Sequence, residues 1–172
     1  MITIDGGTGV ILNNGVEVAS PKQFDEWRLS ADQDLSDNAT LTSWERSDTN
    51  FDLQGTGMSH SSGIFTFPTT GKYLVNCMIC GRRLNHDQEY VGNIMHLSTD
   101  SGSSYSITAA AWTNADSSNA HFTNSISKII DVTDASTFRL YVRTNTTSND
   151  VRYFGDTSAN RCIFQFIRLC GT

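Results

Sequence analysis

Ser62-Gly63-Ile64-Phe65-Thr66-Phe67-Pro68-Thr69-Thr70-Gly71-Lys72-Tyr73-Leu74-Val75 holds a strand, a tight turn and a second strand. Ile64 to Phe67 is β-branched and aromatic, which suits a pleated surface. Pro68 and Gly71 bracket the turn: proline fixes φ, and glycine reaches positive φ freely. Tyr73, Val75, Cys77 and Ile79 then alternate along one face of the next run.

Working outward, the same pattern recurs. Apolar or alternating runs fall at residues 26–31, 40–46, 63–67, 72–81, 88–98, 104–113, 121–132, 137–145 and 161–169. Phe138, Leu140 and Val142 alternate with Arg139, Tyr141 and Arg143, the mark of a half-buried strand. Short strands at regular spacing, with polar turns between them, predict an all-β antiparallel sandwich of the jelly-roll kind. The closing run is different. Cys162, Phe164 and Phe166 share one face, and Ile163, Ile167 and Leu169 share the other. Both faces want cover, which an ordinary sandwich strand does not need. A neighbouring subunit would supply it, and so would the first twenty residues or a loop of the same chain.

Those first twenty residues contain no Lys, Arg or aromatic residue. Glycines at 6, 7, 9 and 15 punctuate short β-type runs that carry Ile2, Ile4, Val10, Ile11, Leu12, Val16 and Val18. Asn14-Gly15 is a two-residue hairpin signal. Ser20-Pro21-Lys22-Gln23 has the form of a capping box, predicting a helical turn from Pro21 to about Glu26. Residues 1–23 are therefore expected as an anchoring arm and residues 24–172 as one folded domain. A chain of 172 residues fits one well-filled core and not two.

Formal net charge is −6, and lysine occurs only at Lys22, Lys72 and Lys128. That charge balance predicts no nucleic-acid partner. No basic-then-apolar leader opens the sequence, and no apolar run approaches the length of a membrane helix. Synthesis in a cytosol, with the cysteines as thiols and no membrane partner, is the expectation.

Gly63-x-Phe65-x-x-Pro68-x-x-Gly71-x-Tyr73 resembles the signature of the complement C1q globular head, a relative of the tumour-necrosis-factor jelly roll. The likeness runs from Phe24 to Thr172. Trp27-Arg28-Leu29 is similar to that family's first strand, and Phe164-x-Phe166 to its closing aromatic strand. Two departures stand out. The chain has no Gly-x-y stalk, and it ends Phe166-Ile167-Arg168-Leu169 where complement heads have a glycine-containing pattern. With a short glycine-rich arm in the stalk's place, the chain looks like the bacteriophage virion members of this group. The resemblance implies a homotrimeric binding or structural protein and no enzyme. It also implies a virion location after assembly in the host cytoplasm, with a major capsid protein or another virion protein as partner.

The residues offer no catalytic motif. Cys77-Met78-Ile79-Cys80 is formally C-x-x-C, but it lies in an apolar strand, where residues three apart face opposite ways. Cys162 and Cys170 lack a zinc spacing, and no G-x-S-x-G or H-E-x-x-H occurs. No cofactor is expected. The one opening for a metal is Asp32, Asp34 and Asp37, an acidic loop that could hold calcium.

Two functions follow as expectations. The first is a trimeric capsid decoration protein, docked through its arm, with Ile163, Phe164, Phe166, Ile167 and Leu169 at the trimer interface. The second is a tail-fibre or receptor-binding tip, with Trp44, Trp112 and Tyr153 in exposed loops touching a host glycan or protein.

Overall fold

The computed structural model describes residues 2–4, 11–13, 16–17, 23–84, 89–115, 117, 119–147 and 151–171. Among them, every regular element is a strand. In chain order these are β1 (Ile2–Ile4), β2 (Ile11–Asn13), β3 (Val16–Glu17), β4 (Gln23–Leu29) and β5 (Gln33–Leu35). There follow β6 (Trp44–Arg46), β7 (Ser59–Ser61), β8 (Ile64–Thr66), β9 (Gly71–Arg83) and β10 (Tyr90–Ser98). The last five are β11 (Ser106–Asn114), β12 (His121–Val132), β13 (Arg139–Thr146), β14 (Val151–Tyr153) and β15 (Ile163–Cys170).

β1, β2 and β3 pair with one another as a small antiparallel sheet. Asn13 pairs with Val16, so two residues separate β2 from β3, as the Asn14-Gly15 signal requires. The remaining strands make two sheets. One has five strands in the order β11-β10-β13-β8-β7. The other has seven, in the order β5-β14-β9-β15-β4-β6, with β12 on the far side of β9. Every pairing is antiparallel.

The decisive stretch performs two different turns. Ser61 pairs with Ile64, so Ser62-Gly63 is a two-residue hairpin loop, with φ of 50° and 80°. Positive φ at both positions matches the twist of the flanking strands. Pro68 to Thr70 does something else. β8 lies in the five-stranded sheet and β9 in the seven-stranded one, so this turn carries the chain across the sandwich. A side chain at Gly71 would meet the Cys170 carbonyl and the Arg168 guanidinium at 2.5 Å, and its φ is 143°.

Inward residues of both sheets build one core. Tyr73, Val75, Cys77 and Ile79 of β9 are buried together with Phe164 and Phe166 of β15. Across the gap they meet Phe65, Met95, Leu140 and Val142. The Phe65 ring sits 5.1 Å from both Phe164 and Phe166, so the expected closing strand is packed into the centre.

The helical turn expected from Pro21 to Glu26 is not formed where it can be seen. Gln23 to Glu26 belong to β4, paired with Arg168 to Gln165 of β15; Ser20 to Lys22 lie outside the described residues. Ladder pairing along β15, with Asp25, Trp27 and Leu29 turned inward, outweighs the local capping signal. Asp25 is fully buried, yet satisfied. Its carboxylate accepts from Arg46 Nε at 2.8 Å, Met58 N at 2.6 Å and Trp27 Nε1 at 3.0 Å.

Candidate functional site

The outward face of the seven-stranded sheet carries a connected set of incompletely covered apolar residues. Directly paired residues share a face, so the register gives rows across the strands. Phe24 pairs with Ile167, Ile167 with Leu74, and Leu74 with Ile129. This apolar row crosses β4, β15, β9 and β12. A polar row lies beside it: Glu26, Gln165, Asn76 and Ser127. It is internally bonded, with Gln165 Nε2 donating to Glu26 Oε2 at 2.7 Å and Ser127 Oγ donating to Asn76 Oδ1 at 2.8 Å. Beyond it, Ile163 pairs with Met78, giving a second apolar patch. Phe24, Leu74, Met78, Ile163 and Ile167 are each half-buried in the protomer, and Ile129 is 56% exposed. The fold thus presents two apolar strips around a hydrogen-bonded polar seam.

Of the five interface residues read from the sequence, three lie on this side of the strand. Ile163 and Ile167 are on the rows; Leu169 is half-buried at the irregularity between Arg168 and Cys170. Phe164 and Phe166 require correction. Both are completely buried inside the protomer, so no partner can touch their side chains. Phe24, Leu74, Met78 and Ile129 were missed. Leu74 and Met78 sit between the core residues of β9, so the alternation itself was their signal.

No protein family profile matches the chain, and no curated protein matches it. Solved structures do. Eiger TNF from S. frugiperda superposes with a TM-score of 0.71 at 12% identity, covering 89% of this chain and 96% of that one. Murine APRIL at pH 5.0 gives 0.62 at 10% identity, covering 86% and 98%. This chain folds as a tumour-necrosis-factor-like jelly roll. The all-β sandwich expected from the sequence is therefore the observed fold.

Within that TNF-like jelly roll, the aromatic recognition candidates separate. Trp44 lies in β6 with 5% exposure, bonded through Nε1 to the Leu41 carbonyl, and Tyr153 of β14 is fully buried. Both were expected in exposed loops; packing against Phe65 and Phe164 for Trp44, and Phe122 for Tyr153, takes them out of contention. Trp112 is exposed, but on strand β11 and not in a loop. The arm residues Ile2, Ile4, Ile11, Leu12 and Val16 lie on β1 to β3, whereas Val10 and Val18 fall outside the described residues.

The acidic loop is committed to its own chain. Arg152 forks onto Asp34, with Nε–Oδ1 and Nη2–Oδ2 both 2.6 Å, and holds that carboxyl below the usual carboxylate range. Asp32 accepts from Gly155 N and Asp37 from Thr146 N. Among the described residues, no cluster of three or more His, Cys, Asp or Glu could hold a metal ion. Cys77 faces the core and Cys80 the other side, as strand geometry demands. Cys162 Sγ lies 3.9 Å from Cys80 Sγ and donates to the Cys80 carbonyl. The hydrogen bond from Cys162 lowers the pKa of the Cys80 thiol below the ordinary cysteine value.

Proposed function

We propose that this protein is a non-enzymatic, trimeric virion structural protein, a capsid decoration protein docked through residues 1–23. The observation that carries self-association is the outward face of the seven-stranded sheet. Its apolar rows remain half-covered in the protomer, and patches of that kind mark contact sites. A closed threefold arrangement would bury them three times with one surface design. Two further facts support the reading. The jelly-roll fold is shared with Eiger TNF and murine APRIL, and the sequence holds neither a G-x-S-x-G nor an H-E-x-x-H motif. The virion location and the major capsid protein as partner rest on the glycine-punctuated arm beside the C1q-like motif. An apolar segment of that kind gains order by adding strands to a partner.

A receptor-binding tip is the second reading, favoured by the exposed ring of Trp112. Copy number separates the two. Quantitative mass spectrometry of purified particles should find this chain on the order of hundreds of copies per particle, as surface decoration by closed symmetry requires. A few dozen copies would favour the tip, and absence from particles would overturn both.

A further inference from the structure

Trp112 of β11 pairs with Gly92 of β10, and Gly92 pairs with Asn145 of β13. The three make one row on the outward face of the five-stranded sheet, opposite the face described above. The indole lies over Gly92: a Cβ there would sit 2.4 Å from Trp112 Cδ1 and Nε1. Trp112 Nε1 donates to Asn145 Oδ1 at 3.0 Å. Asn145 Nδ2 in turn donates to Asp37 Oδ1 at 3.3 Å. A glycine below and a hydrogen bond at the edge therefore fix a ring that is still 56% exposed.

We propose that this face binds a neutral saccharide. A pyranose ring stacks on the Trp112 indole, and its hydroxyls bond to Asn145 and Asp37. The C–H groups on one side of a pyranose carry partial positive charge and suit the negative face of an indole. The spare proton and lone pair of the Asn145 amide, with the exposed Asp37 carboxylate, supply donors and acceptors at the ring's edge. Holding the ring in place beforehand removes most of the ordering cost of binding.

The surroundings argue against an apolar protein partner. The next row holds Ile94, 4% exposed, and Arg143, so the exposed indole stands apart from Ile107 two rows away. A neutral ligand fits better than an acidic one. Asp37 is anionic, the chain carries −6, and Arg143 is turned to His96, with Nε donating to Nε2 at 2.7 Å.

The inference supplies a ligand class for the recognition reading and holds equally for a decoration protein. Trp27 and Trp44 are 8% and 5% exposed, so a ligand-induced change in tryptophan signal reports Trp112. Full-length protein is titrated with cellohexaose, maltohexaose, mannohexaose and chitohexaose while following the indole N–H resonances. At least one oligosaccharide should shift the Trp112 resonance and saturate with Kd on the order of 1 mM. Trp112→Ala should weaken that binding at least about tenfold, and Asn145→Ala should weaken it less. Sedimentation of Trp112→Ala should match wild type, because the ring is remote from the self-association face. Three results overturn the proposal: no oligosaccharide acting at up to about 10 mM, Trp112→Ala binding like wild type, or Trp112→Ala altering the oligomer. The last would make the ring a subunit contact.

Discussion

Phe164 shows what a single side chain does here. Its ring lies 5.1 Å from Phe65, 5.6 Å from Trp44 and 4.6 Å from Phe166, joining the two sheets with no exposed surface. Phe164→Ala should cost about 3–5 kcal/mol, the range for deleting a fully buried ring, read as a lowered urea midpoint. A loss under about 1 kcal/mol would mean that the site collapses or is not central. His96 makes a pH prediction. Burial and the neighbouring Arg143 hold its pKa below the ordinary histidine value, and Arg143 Nε needs its neutral Nε2 as acceptor. A depressed histidine pKa means that the unfolded chain takes up the proton first. Stability is therefore intact above about pH 6.5 and falls as pH drops through that value. His96→Gln, which keeps an acceptor, should flatten that acid limb in thermal melts; an unchanged limb would assign it to other groups. At this scale, alternation made the two faces of β15 legible, but not which one is inside. Phe164 and Phe166 were equally good interface candidates until Phe65, about a hundred residues away in sequence, chose them for the core. The inward Asp25 was illegible for the same reason, since its partners Arg46, on the neighbouring β6, and Met58, just before β7, lie 21 and 33 residues away in sequence.

Among elements, the long strands read well and three of the short ones did not. β12 runs from His121 to Val132, as its alternation predicts. β5, β7 and β14 have three residues each and went unread. β7 had a signal in Ser62-Gly63, whose paired positive φ implies a partner strand on its N-terminal side. β5 and β14 had none, because their pairing and the Arg152–Asp34 fork join residues far apart in the chain. The runs at residues 2–4, 11–12 and 16–17 read well as short strands, and among the described residues β1 to β3 pair only with one another. Deleting residues 1–20 should therefore leave a cooperative melt, shifted by no more than about 4 °C, the effect of ~1 kcal/mol in a domain of this size. Co-sedimentation of the truncated protein with particles should fall to background. An unfolded truncation would put the arm in the core, and retained docking would move the anchor onto the jelly roll.

At the scale of the molecule, the two sheets differ in how their outward faces arrange apolar side chains. The five-stranded sheet presents Trp112 and Ile107 singly, with the Ile94–Arg143 row between them, and the seven-stranded sheet presents Phe24, Ile167, Leu74 and Ile129 in a row. That row could not be written from the sequence, because it needs the register of four strands whose order in the sheet differs from their order in the chain. Its central members are half-buried on the outward side, so an aspartate there should be tolerated by the protomer and rejected by an interface. Sedimentation velocity of the full-length protein at micromolar concentration, beside Ile167→Asp, tests this most directly. The account predicts a species about three times the 18.9 kDa chain for the wild type, and a folded monomer for Ile167→Asp. A monomeric wild type, or a variant that remains a trimer, would contradict it.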